Sequence, residues 1–110
     1  MLTEKDMIEI NKRFDKGIVV NKSSLNFTIK IVESTKDWIT QSAYLVRAIA
    51  LDHVFEEGNK RTALAILLAY FQASKKAYDI YRVEKIVIDI ITKNIASIEK
   101  IRRMIKNAIR

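Results

Sequence analysis

The feature that most constrains the fold of this chain is an apolar run from Ala63 to Phe71, which contains no charged residue. Such a run is typical of a helix that is buried at the centre of a small domain. Proline is absent and only Gly17 and Gly58 are glycine, so few residues compel the backbone to break. The chain is therefore predicted to be all-α.

Residues 1–110 are expected to form one domain, because a chain of this length can bury a single core. Apolar residues at helical spacing predict a compact bundle of about six helices around the apolar run. The first three predicted helices run from a cap at Thr3 to about Lys16, from a cap at Ser24 to Ser34 and from Asp37 to near His53. The last three cover Thr62–Ala73, cover Val83–Ile91 and begin at a cap at Ser97. Residues 17–24 break the helical period with a short β-prone run.

A polar cluster, residues 53–62, lies directly before the apolar run and has the sequence His-Val-Phe-Glu-Glu-Gly-Asn-Lys-Arg-Thr. Unpaired backbone N–H groups and the helix dipole favour an anion at a helix N-terminus. Lys60 and Arg61 add positive charge there, and Glu57 suits a hard cation such as Mg²⁺. With the single histidine, His53, nearby, the cluster predicts a site that handles the phosphates of a nucleotide.

The polar cluster resembles the signature of the Fic/Doc family, roughly H-x-F-x-[D/E]-G/A-N-[G/K]-R. The matching positions are His53, Phe55, Glu57, Gly58, Asn59 and Arg61. Lys60, followed by Thr62-Ala63-Leu64, is similar to the Doc (death-on-curing) branch, the toxins of toxin–antitoxin pairs. The resemblance covers most of the chain, is specific over residues 42–70 and implies a compact helical fold.

The resemblance implies a role for each matched residue. His53 would be catalytic, as the general base that takes a proton from a target hydroxyl. Glu57 would bind Mg²⁺, and ATP would be held by Gly58, Asn59, Lys60 and Arg61. Asn59 is expected either to bond phosphate oxygens or to brace the loop. Phe55 is expected to be buried and to anchor the loop without a chemical role.

Two departures from the wider Fic pattern bear on activity. AMP-transferring relatives carry a second arginine three residues after the first, where this chain has Leu64. The internal inhibitory motif of many Fic proteins, S/T-x-x-x-E-G/N, is absent, so inhibition by a separate antitoxin is expected. In the family a flap near residues 17–24 clamps an extended piece of the target. A short flap hairpin is therefore one interpretation of these residues, and a loop with Ile18 and Val19 in the core is the other.

The resemblance thus implies a Doc-type toxin that transfers phosphate from ATP to a Ser or Thr hydroxyl of a protein target. A translation elongation factor such as elongation factor Tu is the expected target, and growth arrest the expected result. Three alternatives are AMP transfer by the same site, a catalytically silent binding protein with this fold and a nucleic-acid-binding module.

Composition limits the other classes. The absence of cysteine excludes disulfides and thiolate metal sites, and the absence of a secretory signal or a long apolar run predicts a cytoplasmic protein without a membrane partner. Residues 75–110 carry ten Lys and Arg against four Asp and Glu. This excess indicates either nucleic-acid binding or the solvated faces of two amphipathic helices. The second is favoured, because no aromatic residue lies among the cations after Tyr81.

Overall fold

The computed structural model describes residues 2–110 and contains six α-helices and no β-strand within that range. The helices are α1 (Glu4–Asn11), α2 (Lys22–Glu33), α3 (Trp38–Leu51), α4 (Asn59–Ala73), α5 (Ile80–Thr92) and α6 (Ile98–Asn107). Within residues 2–110, isolated antiparallel bridges join Val19 to Phe55 and Tyr78 to Ile109. The predicted all-α class with about six helices is confirmed.

Five of the six helices begin after a side chain that accepts a hydrogen bond from a first-turn backbone N–H. These capping residues are Thr3, Asn21, Asp37, Asp79 and Ser97. The predicted starts at Thr3, Asp37 and Ser97 are confirmed. The predicted cap at Ser24 is wrong, because Asn21 Oδ1 accepts a hydrogen bond from the Ser24 N–H at 3.2 Å and α2 begins at Lys22.

Asp37→Ala is expected to lower the free energy of unfolding by about 1 kcal/mol at neutral pH. The Asp37 carboxylate accepts hydrogen bonds from the N–H groups of Ile39 and Thr40, and the hydrogen bond from the Thr40 hydroxyl lowers its pKa. Because the folded-state pKa lies below the ordinary value of 3.8, this stabilisation is complete above pH 3.8 and is lost as the pH falls through the folded-state pKa.

Urea denaturation of the Asp37→Ala protein at neutral and acidic pH measures this effect. The control is Glu33→Ala, which removes an exposed carboxylate that has no hydrogen-bonded partner within residues 2–110. Equal effects of the two substitutions at neutral pH would contradict the capping role of Asp37.

The first helix ends at Asn11, so the predicted end near Lys16 is wrong. The N–H groups of Phe14 and Asp15 bond to the Asn11 carbonyl, and the chain then turns away at Gly17, whose φ is +74°. The Asn11 side chain is fully buried, and its oxygen accepts a hydrogen bond from the Gly17 N–H at 2.8 Å. A side chain that bonds the backbone ahead of it competes with continuation of the helix, which explains the early end of α1.

The core lies between α3 and α4. α3 packs against α2, α4, α5 and α6, whereas α4 packs against α1, α3 and α5. The central place that was predicted for the apolar run is therefore shared with α3, which is buried along most of its length. Trp38 packs edge-on against Phe71 with ring centroids 5.2 Å apart and so acts as a packing residue.

Residues 18–20 run antiparallel to residues 54–56, just before α4. The Val20 N–H donates to the Val54 carbonyl at 2.8 Å, and the Glu56 N–H donates to the Ile18 carbonyl at 2.9 Å. No flap hairpin forms within the described range, because this segment pairs with the polar cluster instead of with itself. The alternative, a loop with its apolar residues in the core, holds for Val19 only, since Ile18 is 43% exposed.

Arg82 and Lys85 on α5 and Arg103 and Lys106 on α6 are exposed, whereas Arg102 is half-buried and paired with Asp37 and Glu99. The opposite faces are buried and carry Val83, Ile86, Val87, Ile90, Ile101 and Ile105. This arrangement agrees with solvated faces of amphipathic helices. None of the helices in residues 2–110 has the length and apolar character needed to span a membrane.

Candidate functional site

The polar residues that the sequence assigned to the site lie together along one cleft of about 750 Å³. The turn after α1, the end of α3 and the start of α4 form its walls. The predicted residues in the lining are His53, Glu57, Gly58, Asn59, Lys60 and Arg61. The other lining residues, which were not predicted, are Phe14, Asp15, Ala50, Glu56 and Ile91.

His53 follows α3 in a left-handed conformation, with φ of +50°, and is exposed. Outside glycine this conformation costs about 1–2 kcal/mol, so the surrounding structure must hold it. Before His53, the Asp52 carbonyl accepts a hydrogen bond from Asn21 Nδ2 at 2.8 Å, and the Asp52 carboxylate accepts one from Ser24 Oγ at 2.7 Å. After it, the Val54 carbonyl accepts a hydrogen bond from the Asn21 N–H at 3.1 Å. The imidazole thus projects from a backbone that is fixed on both sides.

The side chain of Asn59 closes the loop that precedes α4. Its Oδ1 accepts a hydrogen bond from the Phe55 N–H at 3.0 Å, and its Nδ2 donates to the Phe55 carbonyl at 2.8 Å. Both polar atoms of the Asn59 side chain bond the Phe55 backbone. Of the two roles predicted for Asn59, bracing of the loop is the one seen in the structure. Phe55 is fully buried, as expected, and anchors the loop in the core.

The N-terminus of α4 differs from those of the other five helices. Its N-cap is Gly58, at φ of +75°, and no side chain caps it. The first helical hydrogen bond runs from the Thr62 N–H to the Gly58 carbonyl at 2.9 Å. The N–H groups of Asn59, Lys60 and Arg61 are therefore left without a helical partner, at the positive end of the helix dipole. An anion fits this terminus.

The charged residues of the cleft are available to a ligand. Glu57, Lys60 and Arg61 are exposed, and none of them forms an ion pair within residues 2–110. Across the described residues, no group of three or more His, Cys, Asp or Glu side chains is arranged to hold a metal ion. A cation at Glu57 would therefore need further oxygen ligands, and Mg²⁺ commonly takes these from nucleotide phosphates and water. Glu57 could thus hold such an ion only together with a ligand that brings its own oxygens.

Two asparagines outside the polar cluster support the cleft and were not predicted to do so. Asn21 fixes the backbone beside His53, and Asn11 donates from Nδ2 to the Glu57 carbonyl at 3.0 Å. A signal for Asn11 was present in the sequence. Together with Met7 and Ile10 it occupies the spacing of the buried face of α1, where a polar residue needs a hydrogen-bond partner.

Comparisons of the chain with models of protein families and with curated proteins found no match. The chemistry of the site is therefore inferred from the cleft itself. An exposed histidine, the carboxylates of Glu56 and Glu57, an uncapped helix terminus and two unpaired cations lie within residues 53–61. Such a combination can bind an anion and remove a proton beside it.

Proposed function

We propose that this chain is a Doc-type transferase that moves the γ-phosphate of ATP to a Ser or Thr hydroxyl of a protein target. Residues 53–61 resemble the Fic/Doc signature, and one observation carries the proposal: the polar residues of that signature line a single cleft at the uncapped N-terminus of α4. A translation elongation factor of the Tu type is the target that the resemblance suggests. Growth arrest would follow, and a separate antitoxin would relieve it.

The start of α4 would hold the phosphates. Three backbone N–H groups point out of the helix end, and Lys60 and Arg61 add full charges on the same side. Gly58 adopts a left-handed conformation at the N-cap and lines the cleft beside these N–H groups, while Asn11, Phe14 and Asp15 fill the space where its Cβ would lie. Arg61 can bind two phosphate oxygens at once, whereas Lys60 acts as a point charge.

His53 would act on the target hydroxyl. Its imidazole accepts the hydroxyl proton while the hydroxyl oxygen forms a bond to the γ-phosphorus. The bond from the γ-phosphorus to the oxygen that bridges to the β-phosphate breaks, and ADP leaves with that electron pair. Placement and charge neutralisation supply most of the catalysis in such reactions, so the fixed backbone around His53 is an important feature of the site.

Glu57 would hold Mg²⁺ in this proposal. Bound Mg²⁺ would supply positive charge to the phosphate oxygens. A single protein carboxylate leaves most of the coordination sphere to phosphate oxygens and water, which suits the preferences of Mg²⁺. Glu57 would therefore bind the ion much better with ATP than without it.

The position of Leu64 favours phosphate transfer over AMP transfer. Leu64 is half-buried and packs against the core, and it does not line the cleft. It replaces the second arginine of AMP-transferring relatives, which fixes the far end of ATP when the α-phosphorus faces the target. Each lost hydrogen bond to a charged group is worth about 1.5–3 kcal/mol. The ATP orientation with the γ-phosphate beside His53 is therefore favoured.

We expect a target protein to gain a phosphate when it is incubated with this chain and Mg·ATP. The measurement is intact-mass analysis of elongation factor Tu, or of a lysate fraction, before and after incubation. A parallel pair of reactions uses ATP labelled at the α- or at the γ-phosphorus. Label from the γ-position alone is the expected result, because the bond that breaks lies between the β- and γ-phosphates.

Other outcomes of this experiment separate the alternatives. An added adenylate, with label from the α-position, would replace phosphate transfer by AMP transfer in the same cleft. Mg·ATP binding without any mass change in the lysate would indicate a silent binding protein. Chain that binds no nucleotide but binds nucleic acid with a steep dependence on salt would contradict the proposal.

A further inference from the structure

Asn11 joins α1 and the turn that follows it to the start of α4, about fifty residues further along the chain. It lies at the end of α1, and its side chain is fully buried. Its Nδ2 donates to the Glu57 carbonyl and to Thr62 Oγ1, each at 3.0 Å, and its Oδ1 accepts from the Gly17 N–H at 2.8 Å. Every polar group of this carboxamide is therefore engaged.

The orientation of the Asn11 carboxamide is fixed by these partners. The Gly17 N–H can only donate and the Glu57 carbonyl can only accept, so the oxygen must face Gly17 and the nitrogen must face Glu57. A buried amide that loses such partners is costly, which makes the arrangement hard to deform. The carbonyl of Glu57 is thereby held at one place relative to α1.

The contact also depends on Gly58. A Cβ at position 58 would lie 3.3 Å from Asn11 Nδ2 and 3.4 Å from the Phe14 Cβ, closer than most Cβ contacts. The absence of that atom lets α1 approach the peptide group between Glu57 and Gly58. The backbone of Glu57 and Gly58 is therefore packed directly against Asn11 at the end of α1.

We propose that Asn11 is a positioning residue for Glu57. By holding the Glu57 backbone, Asn11 sets the direction of the Glu57 side chain. The affinity of this carboxylate for Mg²⁺ on a bound nucleotide then depends on Asn11. The inference rests on the proposed function, because it assigns Glu57 to the metal. Asn11 is fully buried and does not line the cleft, so in this proposal it acts on the carboxylate through its hydrogen bond to the Glu57 carbonyl. Outer partners of metal ligands commonly alter metal affinity by about 10- to 100-fold when they are removed.

A purely structural role for Asn11 is the competing explanation, and the chain offers a matched control. Gln41 is also a buried carboxamide: its Nε2 donates to the carbonyls of Val32 and Thr35, and its Oε1 accepts from the Tyr70 hydroxyl. Gln41 does not line the cleft. Asn11→Asp and Gln41→Glu each replace the donating NH₂ by oxygen at a buried site, so both should destabilise the fold, but Asn11→Asp alone should disturb Glu57.

The test titrates wild type, Asn11→Asp and Gln41→Glu with ATP at several Mg²⁺ concentrations by calorimetry, at a temperature where circular dichroism shows all three folded. The Asn11→Asp protein is expected to need about 10- to 100-fold more Mg²⁺ for half-maximal ATP affinity. The Gln41→Glu protein is expected to match wild type. Equal Mg²⁺ requirements for Asn11→Asp and wild type, or an equal rise in both variants, would overturn the inference. If Asn11→Asp does not fold, Asn11→Ser and Gln41→Ser replace the pair and are judged in the same way.

Hydrogen exchange provides a readout that needs no nucleotide. Asn11→Asp is expected to speed amide exchange selectively in residues 55–62, while Gln41→Glu speeds it around Val32 and Thr35. A wild-type chain that binds no Mg·ATP would contradict the proposed function. Hydrogen exchange alone would then test whether Asn11 positions the loop. Unchanged exchange rates of residues 55–62 in the Asn11→Asp protein would overturn the positioning role of Asn11.

Discussion

Replacing His53 by asparagine is expected to stop growth arrest and to lower the rate of phosphate transfer by about 100- to 10,000-fold, the usual contribution of a general base. Asparagine tolerates the left-handed conformation of this position better than alanine does, so the backbone should keep its course. His53 is exposed, and its side chain makes no hydrogen bond within residues 2–110. Its loss should therefore leave the helical content and the thermal midpoint close to those of wild type.

Initial rates of transfer, measured alongside circular dichroism, test this expectation. Glu57→Gln, which removes the proposed Mg²⁺ ligand, is expected to lose activity by orders of magnitude as well. Glu56→Gln is the matched control, because the two carboxylates are adjacent, exposed and in the same cleft, yet only Glu57 falls on the signature. A folded His53→Asn protein that still arrests growth would refute the mechanism. Equal losses for the two glutamate variants would refute the specific assignment of the metal.

The sequence predicted those parts of the fold that depend on neighbouring residues. Thr3, Asp37 and Ser97 signal helix starts because a capping side chain bonds a backbone group only two or three residues away. Unlike Phe14, Asp15, Ala50 and Ile91, which also line the cleft, the polar residues of the signature could be predicted as a group because they are contiguous in sequence. One turn and one helix start are enough to bring them into a single cleft.

The features that the sequence did not predict depend on hydrogen-bond partners that are distant in sequence. Asn11 bonds a carbonyl 46 residues away, and the helical spacing that indicates its burial does not identify that partner. The early end of α1 has the same origin, because the Asn11 side chain takes partners outside the helix. The pairing of Val19 with Phe55 was missed for a similar reason: the β-prone run was visible, but nothing in it identified Phe55 as its partner. Local patterns predict elements, whereas tertiary hydrogen bonds decide where these elements stop and what they pair with.

Phe55 is the residue at which the core and the candidate site meet. Its ring is fully buried, and its backbone N–H and carbonyl are both bonded to Asn59. Phe55 also pairs with Val19 in the antiparallel bridge that holds residues 18–20 beside the cleft. Three kinds of contact therefore converge on one residue between the proposed base and the proposed metal ligand.

Phe55→Ala is accordingly expected to lower the free energy of unfolding by about 3–5 kcal/mol, the range for a buried phenylalanine, because the ring leaves a cavity that neighbouring helices fill only in part. Phe27→Ala is the control: Phe27 is 58% exposed, so its truncation should change stability by no more than about 0.5 kcal/mol. Urea denaturation of both variants measures the difference. In the Phe55→Ala protein that remains folded, Mg·ATP affinity should also fall, because the loop carrying Glu57 loses its anchor. Similar stability losses for the two phenylalanines, or unchanged nucleotide affinity in folded Phe55→Ala, would show that the core does not hold this loop in place.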